Sequence, residues 1–280
     1  MTQKISYQGL AGAYSDLACR DACPDYEPLS KPTFFKAMNA VLKGDSDRAM
    51  IPVDNSVAGR VADVHRLLPQ TGLKIVGEHF LPIHHCLLGV EGGKIEDITH
   101  VFSHVHALPQ CEKLIKTLGA EPVVYGDTAQ SAKHVADKNE PHRAAIASKQ
   151  AAETYGLKIF KENVEDFDKN TTRFLVLEKE QQIPAFSPDQ KHITSLMFKL
   201  RSFPAVLYKC LGGFATNGIN LTKLESYTLE GDFEKVQFFC DVEAHPDEDR
   251  MRYALEELAF YTDKIESYGT YVAHPYRFLG

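Results

Sequence analysis

No apolar run in the sequence is long. Stretches such as Cys86-Leu87-Leu88-Gly89-Val90 fall far short of the roughly 18–20 residues that a bilayer-spanning helix needs, which excludes a membrane span of that kind. The first residues, Met-Thr-Gln-Lys before a short apolar strand, lack the basic start, long apolar core and small-residue cleavage site of a secretory signal. CxxC pairs are missing as well. The cysteines at 19, 23, 86, 111, 210 and 240 each sit in an apolar periodic context, so they read as reduced core thiols, and the expected compartment is the cytoplasm. Positive charge is not in excess: 31 Lys and Arg against 38 Asp and Glu give a formal charge of -7. A broad electrostatic footprint for nucleic acid is thereby disfavoured, and any positive potential for an anionic substrate must be local. Neither GxxxxGK[ST] nor GxGxxG occurs, and no HExxH accompanies His84, His85, His100, His104 and His106, so neither a nucleotide loop nor a metal centre is expected.

What is present is an ordinary globular composition, 44% hydrophobic and 25% charged, over 280 residues. That length favours more than one core. Through the first 180 residues, strand-like and helix-like runs alternate at 4–8, 14–23, 34–42, 48–53, 61–68, 74–90, 99–103, 108–118, 122–126, 129–136, 143–147, 151–155 and 172–177. This is an α/β pattern. Two long strand-like passages, 74–90 and 157–174, are expected to cross between two lobes that enclose a cleft. A polar stretch carrying Pro184 and Pro188 then reads as a linker. Beyond it the order is strand 193–200, helix 205–216, strand 220–227, strand 236–243, helix 249–261 and strand 264–272, a βαββαβ module. Pro204 suits the first turn of its first helix, and Gly218 suits the positive φ that follows the helix end.

Four polar clusters fall at ends of expected elements, where scaffolded loops usually hold working groups. The glycine turn Gly9 to Ser15 opens a helix, and its N–H groups either receive an anion or make a plain βα turn. Asn55 and Ser56, after the run Ala49-Met50-Ile51, offer an amide and a hydroxyl suited to a polyoxygenated substrate, or else a helix cap. Ser103 and Gln110 flank a strand-to-helix passage and read as hydrogen-bonding groups at a cleft mouth. In Asn170-Thr171-Thr172-Arg173-Phe174 alternation puts Thr172 and Phe174 on one face and Arg173 on the other. A threonine facing a cleft can donate to a leaving oxygen, but threonine is also simply good strand chemistry.

In their order, the glycine turn, Pro52-Val53-Asp54-Asn55-Ser56, the segment from Ser103 to Cys111, Asp127-Thr128-Ala129 and Thr172-Arg173-Phe174 resemble the prephenate dehydratase family over nearly the whole chain. The family usually has Glu where this chain has Asp54. Phe203-Pro204-Ala205-Val206-Leu207 and Gly218 to Ser226 resemble an ACT domain, the ferredoxin-like module that senses amino acids. The resemblance implies a two-lobed catalytic domain over 1–180, like a periplasmic binding protein in shape, and a regulatory ACT domain over 191–280. It implies a cytoplasmic hydro-lyase that converts prephenate to phenylpyruvate on the route to phenylalanine, with no cofactor and no metal. Thr172 is then the catalytic donor, with Asn55, Ser56, Ser103, Gln110, Thr171 and Arg173 around the substrate. Alternation makes Arg173 a strand brace rather than a carboxylate clamp by about two to one. L-Phenylalanine is the implied effector, held between paired modules by Ala205, Val206, Leu207, Asn220, Leu221, Glu225 and Ser226 in a homodimer or homotetramer. Two departures bear on the effector: Ala205 stands where glycine is common, and Tyr227-Thr228 replaces Arg-Pro. Arogenate, the aminated analogue, is the alternative substrate. A two-lobed solute binder and a sensor without activity are the rivals from other classes.

Overall fold

The computed structural model describes residues 2–229 and 232–279. The chain divides into two compact units, Met1–Val64 with His79–Phe174 and His65–Glu78 with Leu175–Gly280. In chain order the α/β region runs β1 (Lys4–Gln8), α1 (Tyr14–Ala22), β2 (Glu27–Lys31), α2 (Phe34–Lys43), β3 (Arg48–Asn55), β4 (Gly59–Arg60), α3 (Ala62–Thr71) and β5 (Lys74–Pro82). It continues with β6 (Cys86–Gly89), β7 (His100–Ser103), α4 (Glu112–Leu118), β8 (Glu121–Val124), α5 (Thr128–Lys138), β9 (Arg143–Ala147), α6 (Lys149–Tyr155), β10 (Lys158–Lys161) and β11 (Thr171–Glu178). One sheet has the order β2-β1-β3-β11-β5 with β4 on β3, and a second has β10-β6-β9-β7-β8. β1 lies parallel to β2 and β3, and β7 lies parallel to β8 and β9.

The helices form where apolar spacing and end chemistry agree. In α2, Ala37, Met38, Ala40 and Val41 are buried, Thr33 accepts from the Lys36 N–H at the start, and Gly44 at φ 77° ends the helix. In α5, Asp127 accepts from the Gln130 N–H, Ala129, Ala132 and Val135 are buried, and Asn139 at φ 52° closes the end.

Two expectations change. The passages 74–90 and 157–174 are not continuous strands, because each is interrupted between β5 and β6 and between β10 and β11. Pro82 ends β5, and the released backbone finds partners across the two breaks: the Ile83 N–H donates to the Asn170 carbonyl and the Val164 N–H to the His85 carbonyl. The interruptions therefore hold His85 and Asn170 in neighbouring segments. The glycine turn is a packing element. The N–H groups of Gly9 and Gly12 are committed to the Lys31 carbonyl and to Asp16 Oδ2. A Cβ on Gly12, which sits at φ +83°, would come within 2.8 Å of the Ala151 Cα. The strand β2 was not anticipated, since Glu27-Pro28-Leu29-Ser30-Lys31 lacks an apolar alternation and lies at a sheet edge.

The C-terminal module is β12 (His192–Leu200), α7 (Val206–Thr216), β13 (Leu221–Leu229), β14 (Asp232–Val242), α8 (Asp249–Tyr261) and β15 (Thr262–Val272). Its sheet has the order β13-β14-β12-β15 with antiparallel neighbours throughout, so the expected βαββαβ order is what the chain folds into. Leu196, Phe198, Cys210, Phe214, Cys240, Met251, Ala254 and Leu258 form the core between the sheet and its helices. All six cysteines are free and buried. Among the described residues no helix is long and apolar enough to cross a membrane, and no cluster of three or more His, Cys, Asp or Glu could hold a metal ion.

Helix α7 starts one residue later than expected because Ala205 caps it in the left-handed conformation, φ 60° and ψ 21°. An alanine there carries the Cβ clash that glycine avoids. Ala205→Gly is expected to stabilise the protein by about 0.5–1 kcal/mol, the strain relieved outweighing the extra freedom of the unfolded glycine. Urea unfolding checks this, and a destabilised variant would contradict it.

Candidate active site

Four side chains meet near the ends of β3 and β11 because the topology makes these strands neighbours. Asn55 closes β3. Its Oδ1 accepts from the N–H groups of Val57 (3.0 Å) and Ala58 (2.7 Å), which fixes the amide's orientation. Its Nδ2 therefore faces the other way and donates to Asn170 Oδ1 at 2.8 Å and to Thr172 Oγ1 at 2.9 Å. Thr172 accepts in that bond, so its own hydroxyl hydrogen remains to be donated elsewhere. Thr172 is also the one partly open position in a strand whose residues from Thr171 to Leu177 are otherwise buried.

Asn170 in turn donates from Nδ2 to Gln110 Oε1 at 2.8 Å, and the same oxygen lies 3.0 Å from His85 Nε2. With two donors on Oε1, the Gln110 amide hydrogens face away from this contact. Gln110 sits in the short 3₁₀ turn Pro109–Cys111, and Asn170, Gln110 and His85 are all buried. Burial lowers the His85 pKa below the ordinary imidazole value, although Gln110 and Glu165 pull the other way. Burial raises Glu165, but the His85 N–H and the His84 ring outweigh it, and its pKa ends below the usual carboxylate range. Glu165 Oε2 accepts from the His85 N–H at 2.9 Å, and His84 Nδ1 lies 2.8 Å from Oε1.

The remaining residues expected from the sequence lie in other bonding arrangements. Ser56 Oγ donates to the Lys169 carbonyl at 3.1 Å and accepts from the Thr171 N–H at 2.9 Å, clipping β3 to the start of β11. Thr171 is buried beside it. The Arg173 guanidinium is buried 3.6 Å from Asp54 Oδ2, an ion pair that ties β11 to β3. Ser103 is fully buried and donates to the Ile146 carbonyl at 2.7 Å, outside the amide network. The network's unanticipated members are Asn170 and His85. Asn170 stands at the polar start of the Thr-Arg-Phe strand, and the sequence around His85 suggests at most a metal ligand.

In the module, Val206, Leu207 and Leu221 pack partly buried against its core. Asn220 Nδ2 donates to Glu243 Oε2 at 3.2 Å. Glu225 is bridged by Lys223 Nζ and by the Tyr227 hydroxyl, each at 2.6 Å, while Ser226 is exposed. Tyr227 thus gives Glu225 a phenol hydroxyl as a donor.

A threonine hydroxyl and three carboxamides, held by backbone and by one another, form a cluster of uncharged hydrogen-bonding groups. The family model for prephenate dehydratase matches residues 5–182. A bifunctional N-acyl-homoserine lactone acylase/prephenate dehydratase of Komagataeibacter europaeus is 45% identical, over 98% of this chain and 97% of its own. The chloroplastic arogenate dehydratase/prephenate dehydratase 1 of Arabidopsis thaliana is 38% identical over 96% of this chain and 71% of its own. A prephenate dehydratase from Arthrobacter aurescens, solved in complex with L-Phe, superposes with a TM-score of 0.87 at 26% identity, covering 96% of this chain and 89% of its own. The chain belongs to the prephenate dehydratase family, and it is a lyase of the dehydratase class.

Proposed function

We propose that the protein catalyses the decarboxylating dehydration of prephenate to phenylpyruvate, with Thr172 as donor to the departing hydroxyl. The observation that carries this reading is the orientation of Asn55: with Oδ1 held by two backbone N–H groups, its Nδ2 donates to Thr172 and leaves that hydroxyl free to donate in turn. In the reaction the bond from the ring to its carboxylate breaks, and the electron pair enters the ring as CO2 leaves. The ring C–O bond then breaks, and hydroxide takes up a proton to depart as water. Aromatisation makes the step downhill. A site for it must orient a dianion and help hydroxide leave, without overstabilising the carboxylate whose charge disperses. Neutral amide donors suit that requirement better than a cationic clamp. Gln110 is the substrate-orienting group in this reading, and Asn55, whose amide is committed to the protein, acts through Thr172. Ser56, Thr171 and Arg173 set the strand ends from which they project, and Ser103 supports the adjoining sheet. Assay of purified protein with prephenate and, separately, arogenate tests it by following phenylpyruvate and phenylalanine; inertness toward both would refute it.

The catalytic region spans 1–180 and residues 191–280 form an ACT-type regulatory module of a cytoplasmic homodimer or homotetramer. The module's βαββαβ order and the L-Phe complex of the relative from Arthrobacter aurescens support this. L-Phenylalanine is held between paired modules by Ala205, Val206, Leu207, Asn220, Leu221, Glu225 and Ser226. Calorimetry is expected to register saturable heat with phenylalanine, and light scattering a dimer or larger. Absence of heat at adequate protein concentration would remove the effector assignment.

The likeness to the bifunctional enzyme of Komagataeibacter europaeus, at 45% identity over nearly the whole of both chains, favours a second reading in which this chain also cleaves N-acyl-homoserine lactones. Release of free homoserine lactone from an N-acylated substrate, above that of a heat-inactivated control, is the measurement that decides it.

A further inference from the structure

The amide network does not stop at Gln110. His85 Nδ1 lies 2.7 Å from the Tyr14 hydroxyl, which is also 2.8 Å from the His84 carbonyl. Tyr14 is the first residue of α1, directly after the glycine turn, and its ring meets the His85 imidazole edge-on at 5.5 Å. The proton positions along this chain follow from its anchored end. Backbone N–H groups fix Asn55 Oδ1, so Asn55 Nδ2 donates to Asn170 Oδ1. Asn170 Nδ2 must then donate to Gln110 Oε1. An oxygen at that place can only accept, so the 3.0 Å contact from His85 Nε2 requires a hydrogen on Nε2. In an imidazole with one hydrogen, Nδ1 then carries the lone pair, and the single Tyr14 hydroxyl hydrogen is shared between it and the His84 carbonyl in a three-centre bond.

We infer that His85 and Tyr14 are positioning residues for the dehydration: Tyr14 holds His85 as the Nε2–H tautomer, and His85 locks the Gln110 carboxamide so that its amide hydrogens face the substrate. The same lock keeps Asn170, Asn55 and the Thr172 hydroxyl in one donor arrangement. Either flip of the Gln110 amide would break two bonds at Oε1, and a tautomer shift in His85 would bring two acceptors face to face. The inference rests on the dehydratase reading. The neighbouring groups are consistent with an imidazole that keeps a single proton. Burial lowers its pKa and holds the Tyr14 hydroxyl well above the ordinary phenol value. Glu165 binds the His85 backbone N–H rather than its ring, and His84 pairs with the other oxygen of Glu165. Cys86 and Cys111, raised by burial, are the other titratable groups around Tyr14.

The test combines kinetics and spectroscopy on the full-length protein. Tyr14→Phe is expected to lower kcat about tenfold with KM changed less than about twofold, the loss that one buried hydrogen bond accounts for. His85→Leu, which has no donor, is expected to lose about a hundredfold in kcat, whereas His85→Gln, whose amide nitrogen reaches the place of Nε2, recovers most of it. A purely structural role would move stability in all three without that rescue. Nitrogen NMR of the His85 ring is expected to give a protonated Nε2 and a bare Nδ1 from about pH 8 down to about pH 5. An active wild type with the Nδ1–H tautomer or an imidazolium in that range, or no rescue by His85→Gln, overturns this inference alone. A wild type inert toward prephenate and arogenate overturns the dehydratase reading and this inference together.

Discussion

Thr172→Ala is expected to lower kcat for prephenate by about 10²–10⁴ while KM stays within a few fold, the range that a positioned proton or hydrogen-bond donor contributes. The expectation rests on a direction rather than on proximity. Asn55 Nδ2 donates to Thr172 Oγ1, so the hydroxyl hydrogen is available to the departing oxygen, which becomes a better acceptor as its bond to carbon breaks. Alanine removes an interaction that strengthens in the transition state, and such a loss falls on kcat. Thr172→Ser keeps the hydroxyl and should retain most of the activity. A change confined to KM would move Thr172 from the chemistry to substrate binding.

Arg277→Ala is expected to destabilise the protein by about 3–5 kcal/mol, one of the larger effects a single substitution produces. Glu78 has no exposed side-chain surface. Arg277 grips it at both oxygens, Nε to Oε1 at 2.6 Å and Nη2 to Oε2 at 2.8 Å, and the His274 N–H adds a third donor at 3.1 Å. Losing the guanidinium leaves a buried carboxylate without its bidentate partner, and the desolvation that the pair offset then falls on the fold. Glu78→Gln with Arg277→Ala should recover part of the loss, because the remaining partner is then uncharged. Chemical unfolding of the single and double variants measures this, and a loss below about 1 kcal/mol for Arg277→Ala would contradict it.

Much of the architecture was legible because local and tertiary signals agree. The end of α8 at Tyr261 and the left-handed Gly218 follow from periodicity and end chemistry. β2 escaped because Pro28 and Ser30 hide an edge strand; in 74–90 apolar residues continue past Pro82, where the ladder stops, whereas in 157–174 the polar segment 161–170 separates β10 from β11. Thr172, Asn55 and Gln110 stand out in the sequence through the order of their motifs, and Asn55 bonds Thr172 directly and reaches Gln110 through Asn170. Asn170 and His85 do not, since their importance lies in a contact across sequence separations of 60 and 25 residues with Gln110. A histidine in the run Ile83-His84-His85-Cys86 carries no sign of which nitrogen bears its proton. Ser103 donates its hydroxyl to the Ile146 carbonyl, a bond across 43 residues that spacing along the chain does not show.

The most direct measurement is formation of phenylpyruvate from prephenate by the wild type and by Thr172→Ala side by side. Rapid phenylpyruvate formation by the wild type, with kcat reduced by about a hundredfold or more in the variant, is the expected result. No phenylpyruvate from the wild type, or equal turnover by the two proteins, would contradict the account.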